Sequence, residues 1–285
     1  MLTRDIRICL LFLLPVLVTS QISVSIEATD SAAISKVHLF GQVEDIISNQ
    51  EQISFGITEE PLKNGVERFS GGRPQDVFVK SPTPWNDLYL SYGWIQVART
   101  LRPVRSRISG VRSEPVIVAT KEFINNSTFE GMFKAGIMQE VQNTVSSSWE
   151  TSRDLTVGFS MNYEIKMGFG SVSGGGSISY TSTWGKSTTE SQTLQVGSSS
   201  GIEATLQPGQ AVVATMTATR GSMEVEVDYE ASLRGHVACN YPRRFNGHHF
   251  WAYSVTGVMQ AMNVPLVLHS KETLRIGFYS TARLV

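Results

Sequence analysis

The sequence predicts an all-β protein, mainly antiparallel, that carries a small mixed α/β head. Three observations lead there. LTVGFSMNYEIKMGF, Leu155 to Phe169, places an apolar or aromatic side chain at every odd position and a small or polar one at nearly every even position, the period of a strand with two unlike faces. SMEVEVDYEASLR, residues 222–234, repeats that alternation with acidic side chains opposite the apolar ones. Between Ser146 and Ser200 roughly two-fifths of the residues are Ser or Thr, with neither proline nor cysteine. A linker has no reason to keep strict alternation inside such a stretch, so these are strands.

Taken in order, the chain begins MLTRDIRICLLFLLPVLVTSQ. Arg4 and Arg7 precede an apolar run from Ile8 to Val18, which is followed by small residues. That is the pattern of a cleaved signal peptide over 1–20, and the run falls short of the ~20 residues a spanning helix needs. Cleavage would remove Arg4, Asp5 and Arg7, taking the formal charge from -1 to -2, and would remove Cys9. Cys239 would then be alone, either a buried thiol or an intermolecular link.

Residues 21–144 read as a head and binding region of mixed short elements. Within it, PTPWNDLYLSYGW offers Trp85, Tyr89, Tyr92 and Trp94 as a stacking surface for a glycan or lipid headgroup, with ordinary core packing the competing reading. SEPVIVATKEF reads as a strand, and TFEGMFKAGIMQEVQN as holding a short helical turn. Asn125-Asn126-Ser127-Thr128 contains overlapping N-glycosylation sequons at Asn125 and Asn126, close enough that two sugars would crowd each other.

Residues 145–240 hold an amphipathic hairpin over 155–185. After the glycine-rich GFGSVSGGG the apolar positions become even, at Ile178, Tyr180 and Trp184. A register that pairs Phe169 with Ile178, Met167 with Tyr180 and Tyr163 with Trp184 collects the apolar side chains on one face. Downstream, GIEATLQPGQAVVATMTATRG and SMEVEVDYEASLRG read as two strands around an Arg220-Gly221 turn. Residues 241–285 read as further short strands, with Pro265 at an edge or bulge.

With about 17% charged residues and near-neutral balance, the chain carries no basic field for nucleic acid. His38, His236, His248, His249 and His269 lack metal-ligand spacing, and His248-His249 reads as an exposed loop pair. Gly185-Lys186-Ser187 lacks the first glycine of a phosphate loop, and no G-x-S-x-G elbow occurs. The sequence therefore calls for no catalytic residues, no metal and no cofactor.

The run NTVSSSWETSRDLTVGFSMNYEIKMGFGSVSGGGSISYTSTWGKSTTESQTLQV, followed by LQPGQAVVATMTATRGSMEVEVDYEASL, resembles the aerolysin-type β-pore-forming module of the epsilon-toxin and mosquitocidal-toxin group. The head is similar to that of secreted eukaryotic spherulin-like members. The resemblance covers about Thr144 to Leu233 and implies an elongated multi-sheet body, oligomerisation on activation and a barrel built from two strands per subunit. In that arrangement Val157, Phe159, Met161, Tyr163, Ile165, Met167, Phe169, Ile178, Tyr180 and Trp184 would face lipid, while Ser160, Asn162, Glu164 and Lys166 would line the lumen. Each arm exceeds the 9 to 11 residues, tilted about 45°, of a transmembrane strand. The implied partners are membrane lipid or a glycan receptor, and further copies of the chain. The glycine-serine hairpin tip departs from the family's apolar one and keeps a second reading open: a non-lytic secreted binding, storage or matrix protein, as spherulin-like encystment and egg-associated proteins are.

Overall fold

The computed structural model describes residues 21–29, 34–151, 160–167 and 177–284. In chain order the elements are β1 (Ser23–Ala28), β2 (Lys36–Phe40), β3 (Val43–Ile46), α1 (Asn49–Phe55), α2 (Glu59–Ser70), β4 (Asp76–Phe78), α3 (Pro84–Tyr92), β5 (Ala98–Ile124), β6 (Gly131–Thr151), β7 (Ser160–Met167), β8 (Ser177–Thr183), β9 (Thr189–Leu206), β10 (Ala211–Arg234), β11 (His236–Phe245), β12 (His248–Ser254), α4 (Val255–Met262) and β13 (Val267–Leu284). They form three sheets, ordered β2-β1-β7-β8, β3-β5-β10-β13-β6-β9 and β12-β11-β4. The all-β class with a mixed head holds.

The six-stranded sheet is the body. β10 runs unbroken through 24 residues between β5 and β13, so the expected turn at Arg220-Gly221 does not exist. Gly221 has another reason to be glycine. A Cβ there would stand 1.9 Å from the Phe278 ring, which crosses over the strand at that point. The chain turns instead at Pro208-Gly209, where Gly209 takes a left-handed φ of 77°. That turn does not make a hairpin, because β9 pairs with β6 while β10 inserts between β5 and β13.

β10 alternates as read. Met223, Val225, Val227, Tyr229, Ala231 and Leu233 are buried, and Glu224, Glu226 and Glu230 on the other face pair with Arg275, Arg107 and Arg102 at 3.1, 2.5 and 3.2 Å. The Arg107 guanidinium holds Glu226 below the usual carboxylate range. Exposed pairs of this kind stabilise by roughly 0 to 1 kcal/mol each, so they define the wet face more than they hold the fold. β5 tolerates Pro103 and Pro115 at positions with no further strand beyond them among the described residues, since β3 covers only Ala98 to Leu101.

The helical part gathers 47–97 and 236–264. α1 opens with a capping box, Ser48 Oγ accepting from Glu51 N at 3.1 Å and Glu51 accepting from Ser48 N at 2.7 Å. Glu51 also accepts from buried Arg99 at 2.8 Å, which ties this helix to the start of β5. Two expectations fail here. The 128–143 segment has no helical turn and enters β6 directly, its side chains spaced for a sheet. The tail is not all short strands: 255–262 is helix α4, β13 spans 18 residues, and Pro265 lies between them outside any strand. His248 and His249 are exposed but belong to strand β12, not to a loop. Cys239 is a buried free thiol whose pKa burial pushes up.

Candidate functional site

β7 and β8 form the two-stranded flap that the alternation predicts. Val157, Phe159 and Phe169, and the side chain of Met167, lie outside the described residues. Among the described ones, Met161, Tyr163, Ile165, Ile178, Tyr180 and Trp184 are all buried, while Ser160, Asn162, Glu164 and Lys166 are exposed. The register differs from the expected one. Tyr163 pairs with Tyr180 and Ile165 with Ile178, a slip of four residues that leaves every described side chain on its predicted face.

The slip has a cause in the body beneath. The Tyr163 hydroxyl lies 2.7 Å from the Tyr229 hydroxyl of β10 and donates to Glu272 of β13. Tyr180 donates to Ser147 Oγ of β6 at 2.9 Å, and Ser182 donates to Glu272 Oε1 at 2.8 Å. Trp184 packs on Trp149 and Tyr229, with centroids 4.5 and 5.2 Å apart. These contacts fix the two arms relative to each other from below, which pattern alone has no means to do.

Among the described residues the flap is attached to the body by its side chains and by one neighbouring strand: β7 pairs in parallel with β1, from Ser23↔Asn162 to Ala28↔Met167, and β8 is the edge of that sheet. Burying six large side chains stabilises the docked flap by on the order of 10 kcal/mol, at roughly 1.5 to 3 kcal/mol each. Another apolar medium would offer the same term. The hydroxyl and carboxyl groups under the flap are unlike a dry core, because leaving them unpaired costs free energy only while they stay shielded from water.

Glu272 was not singled out from sequence. It is fully buried and accepts from Tyr163, Tyr229 and Ser182. A signal for it exists: Leu268, Ser270, Glu272, Leu274, Ile276 and Phe278 share one parity, and a charged residue in that inward stripe is out of place.

The head aromatics divide. Tyr89 is 3% exposed and its hydroxyl lies 2.8 Å from Phe78 O and 2.9 Å from His236 O, so it is core and not surface. Trp85 and Tyr92 are exposed, at 45% and 53%, with Tyr92 stacked on Trp94 at 4.7 Å and Trp85 against Phe250 at 5.2 Å. Trp85, Asn86 and Asp87 all adopt left-handed φ, of 61, 62 and 56°. Each such non-glycine residue costs about 1 to 2 kcal/mol, and Asp87 Oδ1 helps hold the turn by accepting from Ser81 Oγ at 3.1 Å.

The sequons also divide. Asn125 is buried, its Nδ2 donating to Phe129 O at 2.8 Å and Leu206 O at 2.7 Å, whereas Asn126 is exposed. A sugar on Asn125 would attach to the nitrogen that closes this loop, so the site expected there is not available in the folded chain.

An elongated body of long antiparallel strands, with a two-faced flap docked on it and a small helical head, is the aerolysin-like β-pore-forming toxin fold. Parasporin-2, a Bacillus thuringiensis toxin, superposes with a TM-score of 0.61 over 86% of this chain and 97% of its own, at 15% identity. The chain belongs to the U-megalopygitoxin(8) family: it is 39% identical to U-megalopygitoxin(8)-Mc8 of Megalopyge crispata over 91% of its length and 88% of that protein's. It is 38% identical to U-megalopygitoxin(8)-Mo12 of Megalopyge opercularis over the same shares. No protein-family model matches it. Fold and relatives together give it a toxin-like role.

Proposed function

We propose that this protein is a secreted pore-former that oligomerises on a membrane and inserts the 155–185 hairpin, each subunit adding two strands to a closed barrel. Closure is required because lipid cannot satisfy the backbone groups of an open sheet edge. The observation that carries the reading is the flap itself: one face mostly apolar and buried, interrupted by Ser182 and the Tyr163 and Tyr180 hydroxyls, the other polar and already in water, on two strands at the edge of a small sheet. On insertion Met161, Tyr163, Ile165, Ile178, Tyr180 and Trp184 exchange protein for lipid, and Val157, Phe159, Met167 and Phe169 take lipid-facing positions in the same stripe. Ser160, Asn162, Glu164 and Lys166 keep their water and line the lumen.

Secretion follows from the leader-like residues 1–20, and a glycan on Asn126 is compatible with that route. The exposed Trp85 and Tyr92, with the half-buried Trp94 stacked behind Tyr92, supply flat faces for a glycan or lipid headgroup and make the head the receptor-binding part. The test is a cysteine scan along 157–169 carrying an environment-sensitive dye, on a Cys239→Ser background, with lipid vesicles present. Blue shifts at odd positions only are expected, and a uniform response would remove the reading. The glycine-serine tip supports the second reading, a non-lytic secreted binding or matrix protein, which predicts intact vesicles under all conditions.

A further inference from the structure

Glu272 is enclosed where three strands of the body, β6, β10 and its own β13, meet the flap. Tyr163 faces it from β7, Ser182 from β8 and Tyr229 from β10. Trp149, its register partner on β6, has a buried Nε1 with no hydrogen-bond partner among the described residues. On its own strand, Lys271 and Thr273 alternate to the other face, where Lys271 lies 3.8 Å from Glu226. Among the described residues no cation pairs with Glu272. Three hydroxyl donors surround a group that carries full charge when ionised, and two of those donors belong to the part that must leave.

We infer that Glu272 is a proton-operated latch: the flap closes over its neutral carboxyl, and ionisation of that carboxyl loosens the flap. The direction follows from solvation. A carboxylate without a counter-ion is destabilised in this enclosure, and lifting β7 and β8 returns it to water. Burial pushes the carboxyl pKa up to about 7, against the opposite pull of the Tyr163, Ser182 and Tyr229 hydrogen bonds. The two phenols titrate well above that range, and burial pushes Tyr229 higher still.

The sign is opposite to that of an acid trigger. Below the ordinary carboxyl pKa of about 4.5 the docked and released states are both protonated and docking is strongest. As pH rises toward 7 only the released state ionises, so docking weakens; as pH passes through 7 the docked carboxyl ionises too, and the loss levels off about a unit above it. Between about pH 5.5 and 8.5 the opening equilibrium rises on the order of 30-fold. The inference rests on the pore-forming reading for its consequence at a membrane, but the latch operates in the soluble chain.

The experiment is hydrogen–deuterium exchange on the full soluble chain without lipid, read in peptides covering β7 and β8 and corrected for the intrinsic pH dependence of exchange. In the wild type, protection there falls as pH rises through neutrality, while amides of β11 and β12 stay protected. Glu272→Gln removes the dependence and stays protected throughout. Ser182→Ala, which takes away a donor to the carboxylate, moves the transition to higher pH and decides the matter should the first variant fail to fold. A flat wild-type profile, an unchanged profile in Glu272→Gln, or an unshifted one in Ser182→Ala overturns the latch. Dye release from phosphatidylcholine–sphingomyelin–cholesterol vesicles runs in parallel: leakage with flat exchange sinks the latch alone, and pH-dependent exchange without leakage sinks the pore alone.

Discussion

The Ser25 and Glu164 Cα atoms are register partners across a parallel β1–β7 pairing, so the first strand of the described chain is zipped to the arm that the proposed insertion would release. Parallel neighbours sit about 4.8 Å apart, within the Cα separation a disulfide tolerates. A Ser25→Cys/Glu164→Cys pair on the Cys239→Ser background should therefore lock the flap when oxidised. Vesicle dye release is expected to vanish in the oxidised protein and return with reductant. Leakage that is unaffected by the oxidised link would mean that β7 stays beside β1 in the membrane-active form.

Gly221 makes a prediction about stability and not activity. Because a Cβ at that point meets the Phe278 ring at 1.9 Å in a central strand, Gly221→Ala should overpack the core and cost about 1 to 3 kcal/mol. Thermal unfolding followed by circular dichroism should show the lowered midpoint. Adding Phe278→Leu should recover part of it, a coupling that independent sites would lack.

These two positions also mark what the sequence reveals. The faces of β7 and β8 were readable because alternation is a property of each strand by itself, and Met161, Tyr163, Ile165, Ile178 and Tyr180 all fall on the expected side. Their register was not readable, since a slip of any even number preserves both faces; Tyr229 and Glu272, distant in sequence, select among the slips. Arg220-Gly221 looked like a turn because glycine after a polar residue usually marks one, whereas the demand here comes from Phe278 on another strand. Helix α4 was legible in principle: Val255, Val258, Met259 and Met262 recur at helical spacing within an otherwise strand-rich tail.

The glycosylation prediction separates two adjacent asparagines. Expressed in a eukaryotic secretory host, the wild type should carry a single sugar, removable by an N-glycosidase with a matching mobility shift on gels. Asn126→Gln should abolish that shift and leave the fold intact. Asn125→Gln should retain it, yet lower the unfolding midpoint, because the longer side chain misplaces the donors to Phe129 O and Leu206 O. Hydrogen bonds of this type contribute about 0.5 to 1.5 kcal/mol each, and more is lost where the carbonyl is left buried and unpaired.

The head aromatics predict a division between binding and folding. Trp85→Ala and Tyr92→Ala remove side chains that are about half exposed, so each should leave thermal stability nearly unchanged while weakening attachment to target membranes. Aromatic anchors at recognition surfaces typically contribute 2 kcal/mol or more, roughly a 30-fold loss of affinity. Tyr89→Phe should do the reverse. It leaves the exposed surface untouched but removes the donor that serves the carbonyls of Phe78 and His236, and so should lower stability by about 1 kcal/mol without a specific effect on attachment. Flotation of labelled protein with vesicles or cells, beside a melting curve for each variant, separates the two. Equal attachment in Trp85→Ala and the wild type would place recognition elsewhere on the molecule, and the strained left-handed turn at Trp85 to Asp87 would then need another explanation.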